Sequence, residues 1–234
     1  MDGAATNCDG FVVTLAIRLL GRPGFDLPTD AAQGAGSRRS RGHNAWGLLA
    51  YLLLHDQAPS RQRLATLLFA EADDPLRAVR WNLAELRRAF GADAQLDGDP
   101  VRLHLGEAVC VDVLDLQAGR WRPGSEMPGE LLESFAFDAC PGFEAWLLVE
   151  RRRLAALVEA AFVNHIRDAV TAGRLDAAVE FAGRLVELNP LDESHQSLLV
   201  QCLAASGVWC SSALSITARR PRAAAIYAPY TGCP

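Results

Sequence analysis

The stretch from Asp74 to Gly91 constrains the fold more than any other. Asp74 supplies a side-chain acceptor for the free N–H groups of a helix start, and Pro75 suits the first helical position because its missing N–H is not needed there. Gly91 suits the left-handed residue that stops a helix. Between these signals Leu76, Val79, Leu83, Leu86 and Phe90 fall on one narrow stripe. At about 100° per residue, Arg77, Trp81, Ala84 and Arg88 fall on the opposite face. The chain must therefore bury one side of this helix and present a basic, tryptophan-bearing side outward.

The flanking segments give that helix its setting. Phe11–Leu20 reads as a strand, 21–24 as a turn and Phe25–Leu27 as a second short strand; Ala31–Asn44 reads as a loop. Trp46–His55 is a short apolar helix. Ser60 caps another, Arg61–Phe69, with Leu64, Leu67 and Leu68 inward. After Gly91 the period changes to two. Val101, Leu103 and Leu105 alternate with Arg102 and His104, then Val109, Val111 and Val113 alternate with Cys110 and Asp112, so the two runs read as paired strands. Asp97-Gly98-Asp99-Pro100 reads as an acidic wing turn. Strands, three helices and a hairpin over 11–116 describe an α/β winged helix-turn-helix domain.

Gly119, Pro123, Gly124 and Pro128 mark 117–128 as a linker. Beyond it the pattern is helical. Apolar residues from Phe143 and Trp146 through Leu154, Phe162 and Ala169 hold a 3.6 period, with both aromatics as core anchors. Gly173 ends that helix, Leu175–Leu188 forms the next up to Asn189-Pro190, and Asp192 caps a third that ends at Gly207. The two glycines stand at the spacing of tetratricopeptide units. Ala178 falls where such a unit wants a small residue. Residues 128–207 thus read as an all-α tetratricopeptide-like domain, incomplete because 208–234 loses the helical period and reads as an irregular tail, truncated or frame-shifted.

Composition narrows the function. The 234 residues carry a formal charge of −5, which excludes a globally basic coat but not a local basic surface. No apolar run is long enough for a membrane helix, and Met1–Gly10 lacks the positive start of a secretory signal. The cysteines, at 8, 110, 140, 202, 210 and 233, have no metal-ligand spacing, and Cys110 and Cys202 read as small core residues of a reducing, cytoplasmic compartment. No phosphate loop, histidine pair or nucleophile elbow occurs, so no enzyme, cofactor or metal is expected.

Trp46–Phe69 and Leu76–Gly91 resemble the DNA-binding half of the SARP family, the actinobacterial antibiotic-pathway regulators. Gly129–Leu147 and Gly173–Gly207 resemble its partner module, the bacterial transcriptional activator domain. The resemblance covers roughly 11–207. It implies an OmpR-type winged helix, sequence-specific binding of double-stranded promoter DNA, recruitment of RNA polymerase and self-association on direct repeats.

On that reading Arg77 and Arg88 contact bases or phosphates, since the guanidinium fork matches guanine O6 and N7. Trp81 packs on thymine methyls or sugar, or on the wing. Arg61 and Arg63 open the second helix where it crosses phosphates. Arg80 and Arg87 reach phosphates or brace the third helix, and Arg102 shares an outward strand face with His104. The plain alternative is a solvated basic face with Trp81 covered by a strand. Arg151-Arg152-Arg153 is expected to be such a solvated face. A rival function is a protein-interaction scaffold that uses the helical repeats without specific DNA binding.

Overall fold

A computed structural model describes residues 13–26, 42–124 and 127–207. The chain divides into two compact units, one ending at Ala161 and the other beginning at Phe162. The tail at 208–234 and residues 31–41 of the expected loop lie outside the described residues, while His43 and Asn44, expected in that loop, belong to the first helix.

In the first unit, alternation of Leu15 and Ile17 with Ala16 and Arg18 sets β1 (Leu15–Arg18), and both larger apolar side chains are buried. It is the centre of a three-stranded sheet. On one side lies antiparallel β2 (Gly24–Asp26), on the other parallel β5 (Val109–Val111). Phe25 of β2 packs on Trp46, with ring centroids 4.6 Å apart, and meets Phe90 edge-on. Those two rings belong to α1 (His43–Leu54) and α3 (Pro75–Phe90). Between them runs α2 (Arg61–Leu68), opened as expected by Ser60, whose hydroxyl accepts from the Arg63 N–H.

The strands after α3 pair differently from the sequence reading. β3 (Ala94–Asp97) and β4 (Arg102–Leu105) form the hairpin, with Asp97 opposite Arg102, and the Asp97–Pro100 turn closes it. The run from Val109 leaves this hairpin and joins β1 instead. Val113 is not a strand residue: α4 (Asp112–Gln117) begins there, because the Asp112 carboxylate accepts from the Leu19, Leu20 and Val113 N–H groups and halts the extended chain. Burial pushes the Asp112 carboxyl up to about 6 against the downward pull of those donors. Cys110 on β5 is half-buried rather than a core residue, whereas Cys202 is buried as expected.

The end of β1 also receives the segment before the long helix. Leu20 bridges Leu131, the Gly21 N–H donates to Glu130 O, and the Leu132 N–H donates to Leu19 O. From α5 (Pro141–Thr171), Arg151 fastens that segment in place. Its Nε donates to Leu131 O at 2.9 Å and its Nη2 to Leu132 O at 3.1 Å. Arg153 pairs with Glu150 at 2.8 Å. Of the arginine triplet, Arg152 and Arg153 lie on the exposed face expected, Arg153 with a local pair to Glu150, whereas Arg151 is held by backbone carbonyls twenty residues upstream that the linear sequence does not reveal. Phe143 and Trp146 are the aromatic anchors expected, and Trp146 meets Tyr51 of α1 edge-on at 4.8 Å.

The second unit holds the end of α5 with α6 (Leu175–Leu188) and α7 (Glu193–Ala205). Gly173 and Gly207 both take left-handed backbone, with φ of 70° and 73°, as the helix-stop reading requires. Ala178 and Ala182 are fully buried, so small residues let the helices approach. Asp192 caps α7 by accepting from the Ser194 and His195 N–H groups.

Candidate nucleic-acid interface

The geometry of α3 follows from its termini. The Asp74 carboxylate accepts from the Arg77 N–H at 2.8 Å, Pro75 occupies the first turn, and Gly91 closes the helix with a positive φ. Val79, Leu83, Leu86 and Phe90 are all buried, as the stripe predicts. Leu76 is the exception. It sits at the N-terminal end of the stripe, where cover is only partial, and 37% of it remains exposed beside Arg77. It therefore belongs with the outward surface rather than the core. Its position one residue after the proline, ahead of the first full turn, was the available signal.

The outward face carries Arg77, Arg80 and Arg88, all exposed. Trp81 stands among them with 55% of its surface exposed, so no described strand covers its face. Among the described residues neither Trp81 nor the Arg77 guanidinium has a side-chain partner. Arg80 lies 3.9 Å from Asp74, a loose and solvent-screened pair. Arg88 Nε donates back to Ala84 O at 3.2 Å, leaving its other nitrogens outward.

Two other expected side chains are engaged, and a third residue is held through its backbone. Arg87 Nε donates to Leu96 O, so this side chain braces α3 to β3. Arg63 Nε donates to the Tyr51 hydroxyl at 3.1 Å and ties α2 to α1. The Arg61 N–H donates to Asp99 Oδ1 at 3.0 Å, which docks the acidic turn on the first turn of α2. The Arg61 Nε is buried and has no hydrogen-bond partner. Arg102 and His104 both stand outward on β4. Sequence reasoning missed Tyr51 as the anchor of Arg63 and Asp99 as the residue that seats the turn, because both act across long chain separations.

The surface thus offers a rigid helix with guanidiniums spaced along it, the arrangement that fits the major groove of a duplex. Among the described residues no cluster of side chains could hold a metal ion, and no helix is long and apolar enough to cross a membrane.

Comparison with known proteins places these elements. Residues 126–215 match the family model of the bacterial transcriptional activator domain. The fold is similar to that of Mycobacterium tuberculosis EmbR, solved in complex with a low-affinity phosphopeptide, at a TM-score of 0.54 and 16% identity. The likeness covers 86% of this chain and 57% of that one, so the chain spans little more than half of EmbR's length. At that identity the likeness establishes the fold: a winged α/β region followed by tetratricopeptide-like helices. No curated protein matches the sequence.

Proposed function

We propose that this chain, a transcriptional regulator of the SARP type, reads promoter DNA by laying α3 in the major groove and activates transcription by recruiting RNA polymerase. The observation that carries the reading is the outward face of α3, where Arg77 and Trp81 stand exposed without side-chain partners among the described residues. The capped helix fixes the backbone that carries these groups, so only their side chains are left to order when a duplex arrives. The matched activator domain supports a role in transcription rather than in simple DNA packaging.

The roles divide by geometry. Arg77, in the first turn of α3, is placed for base edges, because the N-terminal part of a recognition helix contacts them. Arg88, three turns on, is placed for the phosphates that flank the groove. Arg80 and Arg102 add charge at the border and Arg61 stands at the start of α2, where that helix crosses phosphates, while Arg63 and Arg87 hold the elements that present α3. Copies bound side by side on repeated half-sites would raise affinity without new contacts within a protomer.

Selection of bound duplexes from a random pool at two salt concentrations tests this. A single enriched motif, bound with an affinity that falls steeply with salt, is expected. Recovery of no motif, with retention independent of salt, would overturn the DNA reading in favour of a protein-interaction scaffold.

A further inference from the structure

We infer that Trp81 is the residue that reads thymine, packing its indole on the 5-methyl group of a thymine within two base pairs of the guanine gripped by Arg77. The inference rests on the reading that α3 enters the major groove.

Four observations carry it. First, Trp81 lies near the midline of the exposed face. The buried residues Val79, Asn82, Leu83, Leu86, Ala89 and Phe90 define the opposite side, and at about 100° per residue Trp81 falls within about 40° of the line facing away from them. Residues on that midline meet the groove floor, where the base edges are, whereas Arg80 and Arg87 stand toward the flanks. Second, Trp81 is 55% exposed and, among the described residues, stacks on no other ring or cation, so more than half of the indole is open to a ligand. Third, the chemistry is selective. An indole has no acceptor and only one N–H, so it cannot imitate the two-pronged pairing of arginine with guanine or of asparagine with adenine. The apolar group on the major-groove floor is the thymine methyl. Fourth, the spacing fits. Trp81 stands one turn beyond Arg77, about 6 Å along the axis, against about 3.4 Å per base step.

The test uses the full chain and the duplex selected above, with each thymine replaced in turn by deoxyuridine, which deletes only the methyl group. At one thymine within two base pairs of the Arg77-dependent guanine, the wild type should lose about fourfold in affinity, the worth of one buried methyl group. Trp81→Ala should bind the thymine duplex more weakly and show no difference between thymine and deoxyuridine. Trp81→Phe should keep part of the difference. The side chain is exposed, so both variants should melt with the wild type, which separates a contact from a folding defect. If no thymine-to-deoxyuridine exchange changes wild-type affinity, or if Trp81→Ala keeps the methyl discrimination, the assignment is overturned while DNA reading by the arginines stands. If Trp81→Ala leaves all DNA binding unchanged, the assignment is likewise overturned. Failure of the DNA reading itself would look different, since no motif would be selected in the first place.

Discussion

Helices α3 and α5 each display arginines in close succession, and in the sequence they look alike. In the structure they differ in where the guanidiniums go. On α5, Arg151 is fixed to the carbonyls of Leu131 and Leu132, and Arg153 to Glu150. On α3, the Arg77 guanidinium has no partner among the described residues, and Arg80 has only a distant carboxylate. An arginine whose donors are already used holds a fold together, whereas one whose donors face water is available to a ligand. Arg77 and Arg80 of α3 therefore mark a surface, whereas Arg151 of α5, like Arg87 at the far end of α3, marks a joint.

The sharpest way to break this comparison is to truncate both kinds. Arg151→Ala should destabilise the first unit by about 2–4 kcal/mol, because it removes charged donors and leaves two carbonyls of a half-buried segment without them. Arg152→Ala, on an exposed neighbour in the same helix, should stay within about 0.5 kcal/mol of the wild type. Denaturant unfolding measures both. Equal, small effects would mean that Arg151 is as free as its neighbour and that the distinction fails.

A second lever acts on the same joint from the sheet side. Asp112 binds the N–H groups of Leu19 and Leu20, next to the residues that receive the segment held by Arg151. Its carboxyl is raised from 3.8 to about 6, chiefly by burial. The folded state then binds the proton more tightly than the unfolded state does. This group's contribution to stability is complete below about pH 3.8 and declines as pH rises through about 6, by at most about 3 kcal/mol. Other carboxylates titrate nearby, so the measurement is the difference between wild type and Asp112→Asn unfolding curves from pH 4 to 7. A difference that does not vary with pH would show that the three backbone donors outweigh burial.

Arg77→Ala is the counterpart on α3. Asp74 caps the helix through the backbone N–H of residue 77, so the cap survives loss of the side chain, and stability should change by less than about 0.5 kcal/mol. Specific DNA affinity should fall by about 1–3 kcal/mol if the side chain reads a base, with specificity relaxed at that position. Loss of stability without loss of affinity would reverse the roles of the two helices.

The difference between α3 and α5 also shows what a sequence can carry. The start, stop and inner stripe of α3 were legible because they depend on residues within one turn of each other: Asp74, Pro75 and Gly91 act locally. The glycine stops at 173 and 207 were legible for the same reason. The partners of Arg151, Arg63 and Arg87 were not, since each accepts its bond only after distant segments meet. Strand pairing failed on the same ground. Alternation in 109–113 announces a strand, but the choice of β1 over β4 as its neighbour is made by packing across the sheet, and Asp112 ends the strand through N–H groups more than ninety residues away. Within the candidate interface the wheel located Arg77, Trp81 and Arg88 correctly on the outer face, and misplaced Leu76 because periodicity takes no account of where the covering elements end.

The smallest expected effect lies at the hairpin, where an exposed arginine faces an acid. Arg102 stands opposite Asp97 across the antiparallel pair, and opposite charges in that register attract weakly. The two lie beside the turn that Asp99 seats on α2, so any phosphate near the hairpin meets one positive and at least one negative group. Arg102→Ala should weaken binding to all sequences alike and flatten the salt dependence by about one unit, the signature of a phosphate contact. Asp97→Asn should act in the opposite sense, strengthening binding to every duplex by relieving repulsion, without changing the selected motif. Titrations of one specific and one scrambled duplex at several salt concentrations measure both. If the two variants move affinity in these opposed directions by similar amounts, β4 borders the DNA and its arginine behaves like those of α3. If neither moves it, the hairpin stands clear of the duplex, and Arg102 is an exposed residue whose charge the neighbouring acid already answers.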